Sequence, residues 1–225
     1  MLLKDKIALV TGSTHNICLA IARAFADEGA KMIVHSRHEE DAKKVAQEIC
    51  ADYFVADLAK PEQIAALFDH IREKYGRLDI LVNSVAQSSS AGVLETSLDE
   101  WNRIMTINLT GYFLCIQHAG KMMKEQGGGA IINISAGSGE RSSPGGAAYS
   151  VSKGAINALT KQAAPLQARA FIRGEPVQAD VTAIFVAPAA TAGKAFSKTC
   201  SETITARAAL RRGATLRIDE LDLVS

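Results

Sequence analysis

The stretch "IALVTGSTHNICLAIARAFADEGA", residues 7–30, decides the fold. Ile7, Ala8, Leu9 and Val10 form a short apolar run of the kind found in buried strands. "TGSTHNIC" (11–18) then turns the chain, and apolar residues recur at helical spacing beyond it. A strand, a tight turn and a helix in that order make an anion site. The first amides of the helix have no intrahelical partner, and the helix dipole is positive there. Such turns usually carry three glycines, and this one carries Gly12 alone. Asn16 holds the middle position, and asparagine is the side chain that best tolerates a positive φ. Cys18 holds the last, where a side chain is expected to push the helix off the sheet. Gly12, Ser13, Asn16 and Ile17 are therefore candidate cofactor-binding residues of a dinucleotide turn, with His15 adding partial positive charge.

Outward from this turn, short apolar runs alternate with helical patterns, which predicts a parallel sheet with crossover helices. Strands are expected at 6–11, 31–35, 52–55, 79–83, 129–135 and 181–186. Helices are expected at 16–28, 39–49, 61–75, 97–125 and 149–163. Pro61 and Gly76 bracket the third helix, and Ile64, Leu67, Phe68 and Ile71 share one of its faces. Pro165 is expected to end the last helix early. The expected architecture is an α/β doubly wound, Rossmann-like sheet of order 3-2-1-4-5-6 within a single dinucleotide-binding domain, 1–225. The loops "SSSAG" (88–92) and "SGERSSPGGAA" (138–148) follow strand ends, where such a sheet places its ligands.

Composition narrows the function classes. The chain has 225 residues, a net charge of +1 and 48% hydrophobic residues, which gives no reason to expect nucleic acid or a membrane surface as partner. The apolar runs are all far shorter than the ~20 residues of a membrane helix. Cys18, Cys50, Cys115 and Cys200 are scattered, as reduced thiols of a cytoplasmic protein would be. His35 and His38 lie close together without a third ligand, so no metal site is expected.

Two further stretches carry chemistry. "IVHSRHEE" (33–40) ends the second strand with Ser36 and Arg37, where a carboxylate would take the ribose of NAD; Arg37 favours a 2′-phosphate and hence NADP over NAD. "YSVSK" (149–153) sets Tyr149 and Lys153 on one helix face. A free phenol has a pKa of about 10, and a neighbouring ammonium lowers it. Tyr149 is thus a candidate acid for a carbonyl, or base for an alcohol.

Taken together the motifs resemble the short-chain dehydrogenase/reductase family. "TGSTHNIC" resembles its glycine turn, "VADL" (55–58) its adenine-facing segment, and "LVNSVA" (81–86) its LVNNAG stretch. "INLTGYF" (107–113), "IINISAGSG" (131–139), "YSVSK" and "VAPAAT" (186–191) resemble further family motifs. The resemblance is nearly continuous from residue 4 to about 163 and patchy from 181 to 222. It implies hydride transfer between NADP and a small carbonyl or alcohol substrate. Tyr149 would move the proton, and Lys153 would bind the nicotinamide ribose and lower the phenol's pKa. Asn108 would hold a relay water. Asp57, Leu58, Asn83, Ser84, Pro188 and Thr191 would line the cofactor. The resemblance further implies a homo-oligomer, through the helices at 97–125 and 149–163.

Departures from the pattern bear on activity. The family's catalytic serine lies thirteen residues before the tyrosine, and that position is Ala136. Ser135 is expected to point to the opposite face, and Ser138 to supply the substitute hydroxyl. Ala189 replaces a glycine, and 189–225 is read as an irregular substrate lid whose usual final strand is missing. These departures keep a second expectation open: a catalytically impaired, reductase-like fold acting as a binding or scaffold protein.

Overall fold

The computed structural model describes residues 1–140, 146–168 and 182–185, the backbone alone for 164–168 and 182–185. Among these residues six parallel strands form one sheet in the order β3-β2-β1-β4-β5-β6. They are β1 (Ile7–Val10), β2 (Lys31–Ser36), β3 (Asp52–Val55), β4 (Ile80–Asn83), β5 (Ala130–Ile134) and β6 (Thr182–Phe185). The helices are α1 (Asn16–Asp27), α2 (Glu39–Glu48), α3 (Pro61–Tyr75), α4 (Leu98–Met105), α5 (Gly111–Glu125) and α6 (Ala147–Ala168). This is the doubly wound arrangement expected from the alternation of apolar runs and helical patterns.

β1 is central and wholly buried, and its residues alternate between two cores. Ala8 and Val10 pack with Ile21 and Phe25 of α1, and with Met32, Val82 and Ile132. Ile7 and Leu9 face the other way, with Ile64, Leu67, Phe68 and Ile71 of α3 and Cys115 and Ala119 of α5. The two-residue period of the strand thus places one helical layer on each face. α3 starts with Pro61 and stops at Gly76, which is left-handed with φ 68°.

Two helices differ from expectation. The single helix expected at 97–125 is α4 and α5 joined by a π-helical turn, Thr106–Thr110. Each side keeps its own helical period, and the π turn adds a one-residue slip between the two. α6 does not end before Pro165 but runs to Ala168. Proline lacks the N–H that would reach back to residue 161, yet its fixed φ is helical, so the backbone continues at the cost of one hydrogen bond.

Between β1 and β4 the sheet reverses its winding, and the chain crosses over through α3. A crevice opens there beyond the carboxyl ends of the strands.

Candidate active site

A cavity of about 650 Å³ occupies this crevice. Its wall runs from the turn after β1, past the ends of β2 and β3, to the start of α6. It contains eleven of the residues singled out in the sequence: Gly12, His15, Asn16, Ile17, Ser36, Arg37, Asp57, Leu58, Ser84, Tyr149 and Lys153.

The turn is fixed by hydrogen bonds from beneath. Thr11 is buried, and its Oγ1 accepts from the Ser84 amide at 2.9 Å. Gly12 has φ 69°, and a Cβ there would lie 2.9 Å from Val85 Cγ2, so the backbone sits too close to its neighbour for any side chain. Asn16 has φ 49°, the left-handed conformation that lets asparagine stand in for glycine. It does not cap α1; His15 holds that position, in extended conformation. Cys18 is partly buried and packs against the core cluster that α1 shares with the sheet. Its thiol points across to Ser84, Sγ to Oγ 2.8 Å, so the two departures from the family pattern meet each other. Burial raises the pKa of this thiol.

Ser13 is placed differently from the rest of the turn. It is fully buried and off the cavity wall, its Oγ accepting from the His35 amide at 2.9 Å and its own amide donating to the His35 carbonyl at 3.0 Å. Asn83 also faces the interior: Nδ2 donates to Asn133 Oδ1 at 2.9 Å, and Asn133 Nδ2 donates on to Thr160 of α6 at 3.0 Å. This amide chain ties β4, β5 and α6 together beneath the site.

At the β2 end, Ser36 Oγ accepts from the His38 amide at 3.1 Å. Arg37 is exposed at the rim and makes no ion pair among the described residues. Asp57 Oδ1 accepts from the Ala59 amide at 3.0 Å, closing a tight loop after β3.

At the other end, α6 brings Tyr149 and Lys153 to the wall together. Lys153 is only 2% exposed; Nζ donates to the Ile134 carbonyl at 2.8 Å and lies 5.7 Å from the Tyr149 ring centroid. Tyr112, buried on α5, donates to the same carbonyl at 3.3 Å and has its ring centroid 5.4 Å from Nζ. Burial lowers the Lys153 amine to about 8 and raises the Tyr149 phenol. The expectation that the ammonium lowers the phenol is not met in this arrangement: desolvation of the phenolate dominates, and the ammonium is engaged with a carbonyl.

Asn108 lies in the π-helical turn, off the cavity wall. Its Nδ2 donates to the Gln87 carbonyl at 2.9 Å and to Ser152 Oγ at 3.1 Å, and Oδ1 accepts from the Gln87 amide at 2.7 Å. It thereby clamps the loop after β4 to α6, leaving one lone pair of Oδ1 uncommitted. Ala136 lines the wall where the family's serine would stand. Ser135 is committed to the Lys153 carbonyl at 3.0 Å. Ser138 lies off the wall in a 3₁₀ turn, Gly137–Gly139, and its buried Oγ has no hydrogen-bond partner among the described residues. Pro188, Thr191 and the segment 189–225 lie outside the described residues, as does the stretch 141–145.

Sequence reasoning missed His35, Gln87 and Ile107 on this wall. A histidine closing the apolar run "MIV" is the one signal that marks His35. For Gln87 and Ile107, local sequence carries none.

The family model described as short chain dehydrogenase matches residues 6–199. A 3alpha-hydroxysteroid dehydrogenase of Mediterraneibacter gnavus is 34% identical over 171 residues, covering 73% of this chain and 68% of the relative. An NADP-dependent (R)-specific alcohol dehydrogenase of Lentilactobacillus kefiri is 35% identical over 167 residues, covering 72% of this chain and 66% of the relative. The crystal structure of a gluconate 5-dehydrogenase from Burkholderia cenocepacia, in complex with NADP and tartrate, superposes with a TM-score of 0.76 at 31% identity, covering 83% of this chain and 72% of that one. Among the described residues no helix is long and apolar enough to cross a membrane.

Proposed function

The chain belongs to the short-chain dehydrogenase family of oxidoreductases, and on that premise we propose that it moves a hydride between NADP and a small carbonyl or alcohol. The observation that carries this reading is the continuity of the cavity: one wall joins the turn at Gly12–Cys18 and the rim at Arg37 to Tyr149 and Lys153. A cavity of about 650 Å³ lies within the usual range for cofactor sites.

The residues fit a dinucleotide. The close backbone at Gly12 and the positive φ of Asn16 leave room for a pyrophosphate on the first amides of α1. Arg37, exposed beside Ser36, would take the 2′-phosphate in a bidentate grip. Asp57 and Leu58 would hold the adenine side, and Ser84, Tyr149 and Lys153 the nicotinamide side. Pro188 and Thr191 complete the proposed set. The NADP dependence of the alcohol dehydrogenase relative and the NADP held by the gluconate dehydrogenase support the same choice of cofactor.

When bound, the nicotinamide supplies or accepts the hydride. Tyr149 donates the proton to a carbonyl oxygen in reduction, or takes it from an alcohol in oxidation. Lys153, buried and cationic below a pH of about 8, would hold the nicotinamide ribose beside the phenol. Asn108 fixes the loop bearing Gln87, which lines the cavity, and is the residue we assign to the proton relay. Ala136 offers no hydroxyl; Ser138, off the wall with its Oγ unpartnered among the described residues, would have to turn toward the cavity to supply the donor to the substrate oxygen. A purely structural role accounts poorly for Lys153: burying an amine costs stability that packing alone does not recover.

Phe113 on α5 and Val151 on α6 are exposed apolar side chains, and we place a homo-oligomer contact on these helices. A reducing, cytoplasmic setting suits Cys18, Cys50 and Cys115, which form no disulfide among the described residues.

Calorimetric titration with NADP and NAD tests the cofactor. Binding of NADP tighter by about tenfold or more is expected from a bidentate phosphate contact. Equal affinity, or a preference for NAD, refutes the role given to Arg37.

A further inference from the structure

The feature that the family pattern does not absorb is the ring of His35. It is 1% exposed and lies between the two stretches that would hold the adenosine half of the cofactor. The Gly12 amide donates to Nδ1 at 3.0 Å, so Nδ1 carries no hydrogen. The ring proton must then sit on Nε2, which donates to the Ala56 carbonyl at 3.1 Å. Both contacts need the neutral ring in this one tautomer, and burial keeps it neutral by lowering its pKa to about 4. The backbone of His35 exchanges two further bonds with Ser13.

We infer that His35 is a positioning residue that couples the phosphate turn to the adenine-side segment, one ring nitrogen holding each. This rests on the reading of the cavity as a dinucleotide site. Gly12 sets the direction of the turn, and its amide is spent on the ring. The donors left for a pyrophosphate are the first amides of α1, whose position depends on how Gly12 is held. On the other side, Ala56 precedes Asp57, so the second bond sets where the adenine-side segment lies.

Two variants separate the two bonds. In His35→Asn, Oδ1 falls near the place of Nδ1 and keeps an acceptor for Gly12. In His35→Gln, Nε2 falls near the place of the ring Nε2 and keeps a donor for Ala56. Three readouts are taken on each: amide hydrogen exchange at Gly12 in the protein alone, NADP affinity by calorimetry, and affinity for adenosine 2′,5′-bisphosphate, a probe of the adenine side without a pyrophosphate. Loss of one neutral hydrogen bond predicts effects of up to about tenfold. His35→Gln should speed Gly12 exchange and weaken NADP by about that factor, with the bisphosphate changed less than about twofold. His35→Asn should leave Gly12 exchange near wild type and weaken the bisphosphate. Melting temperatures of both variants show whether a loss is local.

The inference is overturned if Gly12 exchanges alike in all three proteins, or if both variants lose the two ligands equally in step with their melting temperatures. Should wild type bind no dinucleotide, the reading of the cavity fails instead, and the exchange arm still decides whether the ring holds the turn.

Discussion

At the turn end of the cavity, Asn16 and Cys18 stand where glycines are expected, and each is matched by a visible adjustment. Asn16 takes up the left-handed backbone, and the Cys18 thiol lies against a serine hydroxyl at position 84. At the α6 end, Ala136 stands where a hydroxyl is expected, and among the described residues the wall holds no free replacement. Ser135 is committed to the Lys153 carbonyl, and Ser138 lies off the wall. A position that shapes the backbone can change if its neighbour changes with it. A position that supplies a proton or a donor has no such freedom, because the chemistry sits on one atom.

The largest effect that could break this contrast is at Tyr149. Tyr149→Phe should lower kcat by roughly 10²–10⁴-fold, the usual contribution of a positioned acid or base, with cofactor affinity held within about twofold. In the same assay Ala136→Ser should raise kcat by about tenfold or more, since one donor to a developing oxyanion is worth up to about 10³. A phenylalanine variant at full rate sinks the role of Tyr149. A serine variant no faster than wild type means that a donor is already in place, and Ser138→Ala then locates it.

Next in size is the titration of Lys153. Its folded pKa of about 8 lies below the ordinary amine value of 10.5. The unfolded chain therefore binds more protons between these values, and the contribution of Lys153 to stability rises as pH increases through that window. Lys153→Met, which cannot titrate, should gain on wild type by about 3 kcal/mol below pH 8, relative to their difference above pH 10.5. Denaturant melts of both proteins across this range measure it. A difference independent of pH would show that the amine is not held in a desolvated place.

The smallest effect sharpens the turn end. Cys18→Gly and Ser84→Asn should each destabilise, and the double variant should recover part of the loss, with a coupling of about 0.5–1.5 kcal/mol. Strict additivity would mean that the thiol and the hydroxyl are neighbours without consequence.

The sequence made much of this legible. The period of "IALV" and of the α3 face determines which side chains enter which core, and those assignments are seen in the buried residues. The resemblance to a family brought Tyr149 and Lys153 to one wall with the turn at Gly12. What escaped is nonlocal. Cys18 and Ser84 are 66 residues apart, and each looks like damage until the two are seen in contact. Ser13 and Asn83, read as cofactor ligands, prove to be internal braces, because spacing along a chain does not say which way a side chain turns. His35 joins elements that only the sheet brings together. The helix through Pro165 shows the converse case, in which a strong local signal gives way.

The π-helical turn at Thr106–Thr110 has a consequence for length rather than for chemistry. Such a turn holds one residue more than an α-helical path would. Take that residue away and every remaining side chain is unaltered, yet α5 is rotated by about 100° about its axis. Cys115, Ala119 and Met122 would swing off the sheet, while Ile104 upstream stayed in place. The segment behaves like a spacer of fixed count: forgiving of which residues fill it, intolerant of how many.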